Sequence, residues 1–254
     1  MGEVTALYRY PVKGLSAEAM PAIELRAGEG LRFDRVFALA LAATRFDEAA
    51  PQALAKTHFL MLMRDEQLAS LGTRVDEATG TLFIRKDGEA VLAASLEEPA
   101  GRAAIAAFFG SFLNIDPPRV VRAEGHKFTD VSVVSTTMMR ALSLINLESV
   151  RALGRALGRP VDPLRFRGNI YVDGLPAWSE FDWVDRDISI NGVPMRGMKR
   201  TRRCAATNVN PVTAARDENL PAAIFRHFGH SDMGVYLDVR GDGCIAPKDA
   251  VVAA

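Results

Sequence analysis

Short apolar runs broken every few residues by turn residues dominate this chain and limit what it can fold into. Thr79-Gly80, Asp87-Gly88, Asn191-Gly192 and Gly241-Asp242-Gly243 each border runs of strand-forming residues. An Asn-Gly or Asp-Gly pair between such runs is a strong hairpin signal. EVTALYRY at 3–10 reads as a first strand ended by Pro11, which has no N–H for a ladder. MPAIELR and LRFDRVFALAL follow as strands around Gly28 and Gly30, with Asp34 and Arg35 embedded among apolar neighbours. Residues 58–71 read as a short strand and a helical turn that changes character at Arg64, and residues 73–94 as a three-stranded meander.

Helical signals are few. Ile105, Phe108, Phe109 and Phe112 recur at helical spacing behind a Ser95/Glu98 capping-box pattern. Asn146 is placed to cap a helix over 147–158, and a short helix is expected near 220–228. Many short strands with few helices predict an α+β protein, mainly β, with two barrel-like halves, and argue against a doubly wound parallel sheet. Asp116-Pro117-Pro118 favours an extended connection, which divides the chain into 1–117 and 118–254.

Lys+Arg and Asp+Glu number 31 each, so no global field attracts nucleic acid, and any anion binding must come from local clusters. The apolar runs are too short and interrupted to span a bilayer, and residues 1–20 lack the apolar core of a secretory signal, so a cytoplasmic protein that engages neither membrane nor nucleic acid is expected. The two cysteines, Cys204 and Cys244, lie in no CxxC pair or zinc-type spacing.

One local excess of charge stands out. Arg196, Lys199, Arg200, Arg202 and Arg203 precede Cys204, and cations beside a cysteine favour the nucleophilic, metal-ligating thiolate. The alternative is a cysteine that acts as a small buried apolar side chain. A nucleic-acid patch is disfavoured, because the run has no interleaved aromatics for base stacking.

Five fragments in order carry a family resemblance: LYRYPVKG, GLRFDRVFAL, SLINLESVRAL, RFRGNIYVDG and RCAATNVNPVT, with GVYLDVRGDGCI closing the chain. Together they resemble MOSC domain proteins with an amino-terminal MOSC β-barrel domain, the YcbX-like and mitochondrial amidoxime-reducing component type. The resemblance implies an amino-terminal barrel domain over 1–117 and a MOSC domain over 118–254. It implies a molybdenum cofactor, molybdopterin, whose metal takes one thiolate, here from Cys204, and soft sulfur suits such a metal. It further implies that Lys13 and Arg35 from the first half and Arg167 and Asn169 from the second bind the cofactor. Ser143, Asn146 and Ser149 fall at a strand-to-helix junction that also contacts it, although capping and turn chemistry explain each equally well. Arg64, Arg165 and Arg203, and Thr207 on the strand beyond the ligand, complete the implied set. Gly14 stands where Val-Lys-Ser is frequent in the family, and Asn210-Pro211 where Asp-Pro is.

The implied activity is two-electron reduction of a small N-hydroxylated substrate, with electrons from an external ferredoxin-like protein or flavin reductase. The family is also associated with pyridoxal phosphate. A competing function is a carrier of cofactor or of sulfur, held as a persulfide on Cys204.

Overall fold

The computed structural model describes residues 2–253. The first half contributes β1 (Gly2–Arg9), β2 (Glu18–Met20), β3 (Ile23–Leu25), β4 (Phe37–Ala40), β5 (Leu71–Asp76), β6 (Thr81–Lys86), β7 (Glu89–Ser95) and α1 (Pro99–Leu113). Then come β8 (Arg119–Arg122), α2 (Thr136–Arg140), β9 (Leu142–Asn146), α3 (Leu147–Leu157), β10 (Ile170–Asp173), β11 (Asp187–Ile190) and β12 (Val193–Arg202). The chain ends with α4 (Leu220–Phe228), β13 (Asp232–Val239), β14 (Gly243–Ile245) and β15 (Ala250–Ala253).

Seven strands form a closed barrel in the order β10-β9-β13-β12-β11-β15-β1, completed by pairing of β1 with β10. With four α-helices among the described residues, the protein has the expected α+β class. Alternation builds the ring: in β12, Val193, Met195 and Gly197 are buried and Pro194 is exposed, until register slips at Gly197/Lys199 and Arg200/Arg202 leave Lys199 exposed and Thr201 buried. β1 also departs from strict alternation. Its register slips between Val4 and Ala6, so Val4 and Leu7, an odd distance apart, both reach the barrel core. Gly197 is needed where β12 passes the chain at Trp183, because a Cβ there would lie 2.0 Å from the Trp183 carbonyl oxygen.

First-half strands outside the ring form open sheets. β5, β6 and β7 are the expected meander, and with β4 and α1 they enclose a second core around Phe37, Leu39, Leu82, Ile84 and Phe109. Strand pairing crosses residue 117 repeatedly: β4 pairs with β8, β3 with β14, and β1 with β10 and β15.

Several local expectations change. Residues 165–168 are no strand: Asp162 caps a 3-10 turn over Pro163–Phe166, and Arg167 follows in the left-handed region at φ 52°. Thr207 also sits in a 3-10 turn, Ala205–Asn208, entered from Cys204. Asp34 and Arg35 fall in a turn ahead of β4, with Arg35 at φ 53°. MPAIELR splits, with Met20 ending β2 and Ile23–Leu25 forming β3. Ser95 accepts from the Glu97 and Glu98 N–H groups and so turns the chain before α1 without capping it.

Candidate functional site

At one end of the barrel, where β12 ends and the first half packs against it, lies a cleft of about 300 Å³. Its walls carry Lys13, Arg35, Ser143, Arg165, Arg167, Asn169, Arg203, Cys204 and Thr207. Residues named from both halves of the sequence thus meet in one place. Three others do not line it. Arg64 pairs with Asp65 at 2.7 Å and reaches the Phe59 carbonyl at 3.2 Å. Asn146 and Ser149 are fully buried around Glu180: Asn146 Nδ2 and Ser149 Oγ each donate to its carboxylate at 2.9 Å, and Asn146 Oδ1 caps α3 through the Glu148 N–H.

The turn residues of the first half are held by a buried carboxylate. Asp34 Oδ1 accepts from the Tyr10 N–H at 2.8 Å and from Asn169 Nδ2 at 3.1 Å, while Oδ2 accepts from Arg35 at 2.5 Å. Asn169 spends its other groups on the Tyr8 carbonyl and the Ser143 N–H, so this side chain lines the cleft while tying β1, β9 and the 34–35 turn together. Arg35 continues to the Arg167 carbonyl at 3.1 Å, and the Arg35 and Arg167 guanidiniums lie 4.5 and 4.3 Å from the Tyr10 ring centroid.

Cys204 is met by a residue that the sequence reading did not single out. Lys56 Nζ lies 3.2 Å from the Cys204 sulfur and 3.2 Å from Asp130 Oδ2, and Asp130 also pairs with Lys13. Burial would raise the Asp130 carboxyl, but Lys13 and Lys56 outweigh it and hold it well below the ordinary carboxylate range, although its side chain is half-exposed. Burial opposes the Lys56 charge, yet Asp130 and Cys204 raise it above the usual lysine value; at the more enclosed Lys13 burial wins and lowers it. Nothing in the sequence around Lys56 signals this contact, which bridges 148 positions.

The cations differ in what they are free to do. Arg165 is paired with Asp217 at 2.7 Å, and Arg203 donates to the Phe166 and Met233 carbonyls at 2.7 and 2.9 Å. Among the described residues Arg167 and Arg202 have no side-chain hydrogen bond or ion pair, and both line the cleft. Burial lowers Arg167 from the ordinary guanidinium value, with Tyr10 opposing and Arg35 adding to the effect. Two buried hydroxyls, Ser143 Oγ and Thr201 Oγ1, likewise lack a partner among the described residues, and both residues line the same cleft.

Gly14 explains one departure from the family pattern. It sits at φ 83° on the cleft wall, and a Cβ would lie 2.9 Å from the Leu60 carbonyl oxygen, so a serine would be strained in this chain.

The MOSC domain signature matches residues 126–252, half of the chain. Among solved structures, that of YiiM from Geobacillus stearothermophilus is similar over 44% of this chain and 53% of its own, at 18% identity and a TM-score of 0.36. The YUAD protein from Bacillus subtilis is similar over 99% of this chain and 94% of its own, at 12% identity and a TM-score of 0.46. No curated protein matches the sequence. The chain belongs to the MOSC domain family, a family of molybdenum-cofactor sulfurase-like and cofactor-binding domains.

The residues present suit that cofactor. Buried polar groups are normally hydrogen-bonded, so two orphan hydroxyls, together with the unpaired Arg167 and Arg202 guanidiniums among the described residues of one cleft, leave donors and acceptors for a polar ligand. Cys204 adds a soft sulfur at the same wall.

Proposed function

We propose that this protein is a molybdenum-cofactor-dependent oxidoreductase that reduces small N-hydroxylated molecules in the cleft at Cys204. The observation that supports it is that Ser143 and Thr201, two residues of the wall that also carries Cys204, each have a buried hydroxyl with no partner among the described residues. Cys204 would supply its sulfur to the metal. Ser143 and Thr201 would offer their hydroxyls to the pterin, and Arg202 would hold its phosphate through charge-assisted bonds. Arg35, fixed by Asp34 and the Arg167 carbonyl, and Lys13, fixed by the Phe128 carbonyl at 3.0 Å and by Asp130, keep the first-half wall cationic. When bound, the cofactor supplies a two-electron couple and an acceptor for the substrate oxygen. Electrons come from a separate ferredoxin-like or flavin-dependent donor.

Protein made in a cofactor-producing host tests this. Stoichiometric molybdenum and pterin are expected, with reduction of a model N-hydroxylated compound by an artificial donor. Cys204→Ser replaces a soft ligand with a hard one and should bring that rate to background. Cys244, exposed on β14 and outside the cleft, is the control, and Cys244→Ser should keep metal and activity. Equal activity of Cys204→Ser and parent at equal molybdenum content overturns the assignment. Labile sulfane sulfur on metal-free protein would instead indicate the carrier function.

A further inference from the structure

The cleft has an apolar neighbour. A second cavity of about 220 Å³ shares Gly14, Leu62, Arg165, Arg167 and Ala206 with it, so the two meet along one wall. The rest of its lining is almost entirely apolar or aromatic, including Tyr8, Tyr10, Leu15, Leu68, Leu164 and Val209, and three further alanines, Ala17, Ala19 and Ala69, leave it open. An apolar cavity of ~150 Å³ accepts benzene, so this chamber has room for one substituted ring.

The common wall decides what such a ring would carry. Of its two guanidiniums, Arg165 is occupied by Asp217 and by the Asn208 carbonyl at 3.2 Å. Arg167 has no partner among the described residues and lies against Tyr10, which lines the chamber. An unpartnered guanidinium at the edge of an apolar space favours an oxygen acceptor on the ligand at that point.

We propose that the chamber is the specificity pocket of the cleft. It takes the flat apolar ring of a small ligand whose oxygen-bearing head lies on Arg167 and extends toward Cys204, so that aryl hydroxamates and related N-hydroxylated aryl compounds are preferred over short alkyl ones. This rests on the proposed reductase function for the identity of the head group, while the ring preference rests on the chamber alone.

Benzohydroxamate and acetohydroxamate share a head and differ in the ring, so calorimetric titration of both into the protein as purified reads the chamber directly. The aryl probe should bind at least ~10-fold tighter, as expected from burying the faces of one ring. Ala69→Leu and Ala17→Leu each fill the chamber from residues that do not line the cleft. Each should weaken benzohydroxamate to the level of acetohydroxamate and leave acetohydroxamate and molybdenum content unchanged, with folding checked by thermal unfolding. Equal binding of the two probes by the parent overturns the proposal, as does a preference that survives in either folded variant. If the protein carries no molybdenum and reduces nothing while the aryl preference stands, the reductase function fails and the pocket remains. An active molybdenum protein without ring preference fails the pocket alone.

Discussion

Two buried polar clusters lie at opposite ends of the segment from Ser143 to Ser149, and they are finished in opposite ways. Around Glu180 every group is matched: Asn146 donates to Glu180 and to the Pro176 carbonyl, and Ser149 donates to Glu180 while accepting from the Trp178 N–H. In the cleft, Ser143 Oγ and Thr201 Oγ1 are unmatched, and Arg167 has no partner among the described residues. A satisfied network fixes a fold and asks for no ligand, whereas unmatched groups leave hydrogen-bonding capacity for one. Sequence pattern alone places Ser143, Asn146 and Ser149 together, because hydroxyl and amide residues at a strand-to-helix junction look alike whichever way they face.

Substitutions should separate the clusters in a crossed pattern. The largest effect on stability is expected from Asn146→Ala, which removes the α3 cap and a donor to a buried carboxylate. Leaving such a group unmatched costs about 1–3 kcal/mol, so the denaturation midpoint should fall clearly, while molybdenum retention by the folded protein stays at the parent level. Ser143→Ala and Thr201→Val should do the reverse. Each deletes a hydroxyl that has no partner, so metal-free stability should hold within about 1 kcal/mol or rise, while pterin retention after gel filtration drops. Loss of pterin in Asn146→Ala, or unchanged pterin in both hydroxyl variants, would break the distinction.

What was legible in the chain follows how local each signal is. The meander, the Asn191-Gly192 hairpin and the Asn146 cap depend on neighbours in sequence, and all three are present. Arg165 and Arg167 read as alternating strand positions because Phe166 and Gly168 interleave them. The Asp162 cap and Pro163 instead start a 3-10 turn, and the left-handed Arg167 then directs the chain into β10. The cations that precede Cys204 in sequence are mostly engaged away from its sulfur. Arg196 pairs with Asp187 at 3.1 Å, Arg200 lies 4.4 Å from the Phe181 ring centroid, and Arg203 is spent on carbonyls. The ammonium on the sulfur belongs to Lys56, brought there by packing of a first-half loop, and no local pattern encodes that. Lys13 and Arg35 also take part in the fold: with the Phe128 carbonyl, Asp130 and Asp34 as their partners, replacing both by Met should lower metal-free stability.

The smallest effect concerns pH and tests whether the closed cluster resists negative charge. Burial raises the Glu180 carboxyl above its ordinary value of 4.5, with Asn146 and Ser149 opposing but not cancelling the shift. A carboxyl raised on folding contributes stability that is fully present below its unfolded pKa and is lost as pH rises through the folded one. The parent should therefore lose stability relative to Glu180→Gln as pH rises from below 4.5, until the difference levels off above the raised value. Gln adds a pH-independent offset, since its NH₂ meets donors where a carboxylate oxygen accepted, so only the slope of the difference is informative. Denaturant midpoints of both proteins across acid to neutral pH supply that slope, and the other carboxylates cancel because they titrate in both. A difference that is flat, or that favours the parent as pH rises, would mean that the donors around Glu180 outweigh its burial and that this cluster is built to hold an anion.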